Sequence, residues 1–102
     1  MKGGTVTFSP RQYPNNGDCT PMQHAMLQAA VHTACDQPRA CKANMAWLTL
    51  HEYASRNAAC AAARVAINRQ CFKGGDKTHR EEVDNAYKGK RRCEGFIRNF
   101  AR

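Results

Sequence analysis

The sequence predicts an all-α fold, a small disulfide-stapled bundle of three to four helices with an extended N-terminal arm. Apolar residues recur at steps of three and four over most of the 102 residues, the spacing of helices that bury one face. Period-two alternation is confined to residues 5–8, so no sheet is expected. Six cysteines, an even number, favour disulfides that reinforce an alanine-rich core. The chain therefore divides into an arm or linker at 1–18 and one helical domain at 19–102.

The N-terminal arm ends where the first helix is expected to begin. The arm contains Pro10, Pro14 and an Asn-Asn-Gly turn at 15–17, which disfavour regular structure. Thr20 is a favourable N-cap and Pro21 suits the first helical position. The helix should end near 36–37, because the residue before a proline avoids helical geometry. Its apolar face comprises Met26, Leu27, Ala30, Val31 and Ala34.

Two further helices are predicted, one on each side of a glycine pair. A helical pattern runs from about Arg39 to Phe72, either unbroken or interrupted once, and a third helix follows Gly74-Gly75. The apolar stripe of the second helix comprises Trp47, Leu50, Ala54, Ala58, Ala61 and Val65, with Trp47 expected in the core. The stripe of the third helix comprises Val83, Ala86, Tyr87, Cys93, Ile97 and Phe100.

The cysteine spacing favours disulfides over a zinc site. The shortest interval, from Cys35 to Cys41, is too long for the C-x-x-C pairs that typify structural zinc. Chain proximity suggests Cys35–Cys41, and antiparallel helices around the glycine turn suggest Cys60–Cys93, which leaves Cys19–Cys71. Six cysteines allow fifteen pairings, so the connectivity stays open. The candidates are Cys19, Cys35, Cys41, Cys60, Cys71 and Cys93.

The charge of the chain is strongly positive and unevenly distributed. Sixteen Lys and Arg residues against eight Asp and Glu give +8, of which +6 lies from Arg64 to the C-terminus. This balance indicates a polyanionic partner: RNA, DNA, an anionic membrane surface or an acidic inhibitor protein. The densest run, which contains Lys90, Arg91 and Arg92, is read either as a phosphate-binding surface or as a solvated helix face. No apolar stretch is long enough to cross a bilayer, and residues 1–5 lack the hydrophobic centre of a secretory signal.

The segment after the glycine pair is the first candidate site. Asp76 can cap the third helix, which places His79 and Arg80 in its first turn. The free N–H groups of a helix start attract anions, so a carboxylate, an imidazole and a guanidinium gather at a potential anion site. The alternative reading is a capped helical hairpin without further function.

Two histidines make general acid–base chemistry possible. His24 lies on the first helix, and His79 should point inward because it shares the side of Val83. One imidazole could deprotonate a 2′-hydroxyl of RNA while the other protonates the leaving oxygen, with Arg64 or Arg80 stabilising the phosphorane charge. Alternatively, His24, Asp76 and His79 could bind a divalent metal. His32 and His51 are read as ordinary core or surface residues.

The chain resembles the novel-toxin-16 domain of bacterial polymorphic toxins over roughly residues 19–95. The most specific part is the block Cys-Phe-x-Gly-Gly-Asp-x-x-His-Arg at 71–80. The pattern also includes Cys19-Thr20, His24, Leu27-Gln28, Val31, Cys35, Cys41, Cys60, Arg64, Ile67-Asn68 and Cys93. The matching polar positions, which the resemblance implies as functional, are His24, Gln28, Arg64, Asn68, Asp76, His79 and Arg80. His32 and His51 fall outside this pattern.

The resemblance implies an antibacterial toxin domain within a larger exported effector. Such an effector is delivered into a target bacterial cell, which would account for disulfides without a signal peptide. A cognate immunity protein, expected to be acidic, protects the producer. The leading hypothesis is a nuclease that cleaves RNA rather than DNA. The alternatives are a non-enzymatic membrane-active toxin and a binding module for an acidic partner.

Overall fold

A computed structural model describes residues 17–100 of the chain, and it forms three helices. These are α1 (Pro21–Cys35), α2 (Trp47–Cys71) and α3 (Lys77–Asn99). The central helix α2 packs against both α1 and α3, while α1 and α3 do not pack against each other. Residues 17–100 contain no strand, so the prediction of an all-α bundle is confirmed with three helices. The predicted arm lies almost entirely outside the described residues.

The start of α1 is fixed by a reciprocal cap. The Thr20 hydroxyl accepts a hydrogen bond from the Gln23 backbone N–H at 3.2 Å, and the Gln23 side-chain oxygen accepts from the Thr20 N–H at 3.0 Å. Pro21 occupies the first turn, where its missing N–H has no cost. The helix begins where the sequence predicts, because the signals involved are local.

The prediction that the second helix starts near Arg39 is wrong, since α2 begins at Trp47. The backbone carbonyl of Arg39 accepts a hydrogen bond from the buried Asn57 side chain at 2.6 Å, instead of serving a helical N–H. Cys41 is bonded to Cys93 on α3. These long-range contacts hold residues 38–46 outside helical geometry, although their composition suits a helix.

Three disulfides connect the helices, so the prediction that all six cysteines pair is confirmed. The bonds are Cys19–Cys71, Cys35–Cys60 and Cys41–Cys93. Of the suggested pairs only Cys19–Cys71 is present, and Cys35–Cys41 and Cys60–Cys93 are wrong. Cys35 ends α1 beside the middle of α2 and therefore reaches Cys60, whereas the chain after α1 carries Cys41 across to α3. The bonds span 25 or 52 residues, for which chain entropy gives about 3.5–4 kcal/mol each.

The core consists mainly of cysteine and alanine side chains. Cys60, Cys71 and Cys93 are fully buried, and Leu50 is the largest apolar side chain with no exposure. Trp47 is 45% exposed at the start of α2, so its assignment to the core is wrong. A core this poor in large side chains buries little apolar area, which explains its dependence on disulfides. Within residues 17–100, no helix is both long and apolar enough to span a membrane.

Candidate functional site

One cavity lies between α1 and α3, over the C-terminal half of α2. It has a volume of about 600 Å³. Helix α1 forms one wall, α3 and the turn before it form the opposite wall, and α2 forms the floor. We call it the His24–His79 cavity. Its lining residues are His24, Gln28, Val31, His32, Asp36, Arg64, Ile67, Asn68, Phe72, Asp76, His79 and Glu82.

The α1 wall presents polar side chains spaced by one helical turn. Gln28 Nε2 lies 3.3 Å from His32 Nε2, and His32 Nδ1 lies 2.9 Å from Asp36 Oδ2. The His32 and Asp36 side chains are 60% and 69% exposed, so this pair stands at the open rim. His24, one turn before Gln28, is half-buried, and its imidazole makes no hydrogen bond to any of residues 17–100. It is therefore the wall's unpaired imidazole.

A turn of three consecutive residues with positive φ connects α2 to α3. Lys73, Gly74 and Gly75 have φ of 52°, 95° and 92°. At Gly75 a Cβ atom would lie 3.0 Å from the Asn68 amide and 3.1 Å from the Cβ of His79, so glycine is needed for space as well as for backbone geometry. The backbone carbonyl of Asn68 accepts from the Gly74 N–H, and its side chain donates to the carbonyl of His79. Asn68 on α2 thus holds the turn through hydrogen bonds from both its backbone and its side chain.

Asp76 positions His79 through two hydrogen bonds to one oxygen. Asp76 Oδ1 accepts from the His79 backbone N–H at 2.9 Å and lies 2.8 Å from His79 Nδ1. The backbone hydrogen bond and then the side-chain bond lower the pKa of Asp76, which therefore carries its charge at neutral pH. The His79 side chain remains 31% exposed. Both the cap and the orientation of the imidazole thus depend on one carboxylate.

Phe72 joins the two walls of the cavity. Its ring stacks on the His79 imidazole, with centroids 4.4 Å apart and planes inclined by 24°. The His24 imidazole meets the same ring edge to face at 6.1 Å. Both imidazoles therefore contact one aromatic ring, and the distance between their centroids cannot exceed the sum of these two distances. Phe72 thus contacts both α1 and α3, which do not pack against each other.

Arg64 lies on the floor and is paired across to α3. Its Nη1 lies 3.1 Å from Glu82 Oε1, and its side chain is 24% exposed. A guanidinium has five N–H donors, so the ion pair leaves most of them available to a ligand. Glu82 was not among the candidate residues, although it follows His79 by three positions and must share its face.

The electrostatic balance of the cavity is set by three carboxylates. Asp36 is paired with His32, Asp76 with His79, and Glu82 with Arg64. With neutral imidazoles the lining residues carry a net charge of −2, and with all three protonated they carry +1. Anion binding in this cavity therefore requires protonated histidines or additional cations from outside it.

Six of the seven polar positions implied by the resemblance line the cavity; they are His24, Gln28, Arg64, Asn68, Asp76 and His79. Arg80 does not. Its Nη1 donates to the Gly75 carbonyl at 3.2 Å, and it lines a separate groove with Arg69 and Asp84. Arg80 follows His79 directly, so the helix turns its side chain away from the cavity.

The basic run on α3 is divided by its contacts. Lys90 is bonded to Glu94 at 2.7 Å, an ion pair that lowers the pKa of Glu94, and Arg91 is exposed. Arg92 lines a neighbouring groove rather than the His24–His79 cavity. The three residues therefore differ in their contacts, and their binding of phosphate stays a prediction.

Sequence reasoning left six lining residues out of the site: Val31, His32, Asp36, Ile67, Phe72 and Glu82. The i, i+4 spacing of Gln28 and His32 is the signal that could have found His32, because it places both side chains on one side of α1. His51 fits the reading as an ordinary surface residue, since it is exposed and contacts Trp47 outside the cavity.

The arrangement does not reproduce the alternative metal site. In the described part of the chain, no group of three or more His, Cys, Asp or Glu side chains is placed to hold a metal ion. Asp76 Oδ1 already accepts two hydrogen bonds from His79. The geometry assembles hydrogen-bonded carboxylate–imidazole pairs instead.

Comparison with known proteins identifies the family of this chain. No curated protein matches it, and no solved structure does. A family model described as Novel toxin 16 matches residues 15–96, which is most of the chain and includes every residue lining the His24–His79 cavity. The resemblance seen over residues 19–95 is thereby confirmed. On this match, the chain belongs to the Novel toxin 16 family.

Proposed function

We propose that the chain is a toxin domain that cleaves RNA, with His24 and His79 as its acid–base pair. The Novel toxin 16 family suggests a toxin domain and is consistent with a secreted effector. The observation that carries the catalytic proposal is the placement of both imidazoles in one cavity, against the same phenylalanine ring.

His79 has the surroundings of a general base or acid. Asp76 accepts the hydrogen bond of Nδ1, which leaves Nε2 as the nitrogen that exchanges a proton. Packing on Phe72 holds the ring plane. A carboxylate and an aromatic ring thus fix the tautomer and the orientation, the two properties that proton transfer requires.

His24 supplies the second proton-transfer group. One imidazole removes the 2′-hydroxyl proton, the 2′-oxygen attacks phosphorus, and the other imidazole protonates the 5′-oxygen as its bond to phosphorus breaks. The donors of Arg64 that Glu82 leaves available stabilise the charge on the pentacoordinate phosphorus. Gln28 and Asn68 line the same cavity. Gln28 positions the substrate, and Asn68 holds the turn through its hydrogen bond to the His79 carbonyl.

Alanine substitution of His24 and of His79, with His51→Ala as the matched control, tests this assignment. The backbone N–H of residue 79 would still reach Asp76, so the helix cap survives in His79→Ala. Each cavity variant should lose about 100-fold or more of its activity on a fluorogenic RNA dinucleotide, because general acid–base groups contribute factors of this size. His51→Ala should retain full activity.

The same variants should be expressed in a susceptible bacterium, with total RNA, genomic DNA and membrane potential measured together. Degraded RNA in the wild type and intact RNA in both cavity variants, at similar melting temperatures, supports the proposal. Loss of membrane potential with intact RNA would instead indicate the membrane-active alternative, and degraded DNA would indicate a deoxyribonuclease.

Membership of this toxin family also suggests a cognate immunity protein as a binding partner. We expect that partner to be acidic, because the chain carries +8, and to cover the opening of the cavity. Delivery into a target bacterial cell as part of a larger effector belongs to the same proposal.

A further inference from the structure

A second cavity of about 540 Å³ lies beside the segment that follows α1. Its charged lining residues are Arg39, Lys88 and Arg92, and its amides are Asn57 and Asn85. Among residues 17–100, no carboxylate lines this cavity, in contrast to the three in the His24–His79 cavity. We call it the Arg39 groove. Its charge has one sign, so it is suited to anions.

The guanidinium of Arg39 is rigidly held. Its Nε donates to the Cys35 carbonyl at 3.1 Å and its Nη1 donates to Asn57 Oδ1 at 2.7 Å. Asn57 is only 1% exposed and donates in return to the carbonyl of Arg39. Burial first, and then the nearby Arg64, lower the pKa of Arg39, although an arginine keeps its charge at neutral pH. The two bonds leave three N–H donors for a ligand.

Lys88 and Arg92 are the exposed counterparts of Arg39 on α3. They lie four residues apart, one helical turn, and both are exposed. Neither side chain makes a hydrogen bond or an ion pair with another of residues 17–100. Unpaired cations beside a fixed one are available to phosphate groups without first breaking an internal contact.

The Arg39 groove continues the His24–His79 cavity along α2. Cys35 borders the groove and Asp36 borders the cavity, while on α3 the lining passes from Glu82 to Asn85 within one turn. From His79 to Arg92 the helix rises about 20 Å. A linear anion with several charges could therefore occupy both spaces at once.

We propose that the Arg39 groove binds phosphates next to the scissile one, so that the substrate is a nucleic-acid strand of several nucleotides. The proposal rests on the proposed function. Each carboxylate in the cavity is paired with one of the cavity's basic groups, so little positive charge remains there for a phosphate. The groove supplies the additional cations. Cleavage and strand binding are thus assigned to adjacent parts of one surface.

Binding can be measured without cleavage. The probe is a fluorescein-labelled 2′-O-methyl RNA of about twelve nucleotides, whose blocked 2′-oxygen prevents attack on phosphorus. Fluorescence anisotropy at a series of salt concentrations gives the dependence of affinity on salt. Lys88→Gln with Arg92→Gln should reduce the slope of log K against log salt by about 1.4, since each phosphate contact on a single strand contributes about 0.7. At about 0.1 M salt this corresponds to a roughly 25-fold loss if the affinities converge at 1 M.

The matched control is Lys42→Gln with Arg69→Gln, which removes the same charge from exposed positions outside both cavities. It should leave the slope within experimental error. Equal changes in both double variants, or no change in either, would overturn the proposal.

Cleavage assays separate this proposal from the proposed function. Lys88→Gln with Arg92→Gln should slow cleavage of the long strand while leaving the dinucleotide unaffected, since a dinucleotide is too short to reach the groove. Groove-dependent binding without cleavage of any RNA would refute the nuclease and leave the binding groove. Cleavage of both substrates with equal efficiency in wild type and variant would refute the groove and leave the nuclease.

Discussion

Gly89 and Gly95 lie in the same helix, and alanine at each should change stability in opposite directions. Replacing glycine by alanine inside a helix ordinarily stabilises it by up to about 1 kcal/mol. At Gly95 the new Cβ would meet only the Arg98 guanidinium at 3.8 Å, an ordinary contact, so a gain of about 0.5–1 kcal/mol is expected. At Gly89 the new Cβ would lie 2.5 Å from Asn57 Oδ1, closer than atoms can approach.

Asn57 cannot move aside without loss. It is 1% exposed, and its amide bonds to the Arg39 side chain, the Arg39 carbonyl and the Tyr53 carbonyl. Overpacking costs about 1–3 kcal/mol, and each hydrogen bond sacrificed costs about 1 kcal/mol more. After subtraction of the helix-propensity gain, Gly89→Ala should be destabilised by about 1–3 kcal/mol.

Urea denaturation and thermal melting of the oxidised proteins, both followed by far-ultraviolet circular dichroism, measure the two changes. A domain of this size shifts its melting temperature by about 4–8 °C per kcal/mol, so the two variants should move in opposite directions by readily measured amounts. A Gly89→Ala protein as stable as Gly95→Ala would refute the reasoning, because α3 would then lie farther from α2 than the structure places it.

Three further predictions concern the turn, the helix cap and the cross-links. Gly75→Ala should lower the free energy of unfolding more than Gly74→Ala in urea denaturation, because both require positive φ but only the first brings the new Cβ against neighbouring side chains; equal losses would contradict the described turn. The lowered pKa of Asp76 means that its carboxylate stabilises the fold fully above its unfolded pKa of about 3.9, and that this contribution is lost as the pH falls through the lower folded value. The stability difference between wild type and Asp76→Asn should therefore be constant above about pH 5 and shrink as the pH falls below it, and a difference that stays constant down to about pH 2 would show that the charge has no role. Peptide mapping without reduction should recover Cys35 linked to Cys60 and no free thiol, whereas a link from Cys35 to Cys41 would contradict the structure.

The parts of the fold that sequence reasoning predicted depend on local signals. Thr20 and Pro21 start α1, and the glycine pair followed by Asp76 ends one helix and begins the next. Each of these features is decided within a few residues. The cavity also contains most residues that the family pattern implied, because spacing by three or four places side chains on one helix face.

The features that were missed depend on contacts between distant segments. Residues 38–46 are kept out of a helix by the hydrogen bond from Asn57 and by the disulfide between Cys41 and Cys93. Neither contact can be inferred from the composition of residues 38–46. The pairing of Arg64 with Glu82 depends on the register of α2 against α3. That register follows from the packing of two whole helices, which periodicity alone does not determine.

The burial of the cysteines determines how the domain responds to reducing surroundings. None of the six is more than 8% exposed, and a thiolate must reach a sulfur atom to break a disulfide. Reduction of the disulfides therefore requires the core to open first. Its rate should rise with dithiothreitol concentration and then level off at the opening rate, and a rate that rises without limit would show accessible sulfur. The lifetime of the oxidised domain in a reducing compartment is then set by the chain's own kinetics rather than by the amount of reductant around it.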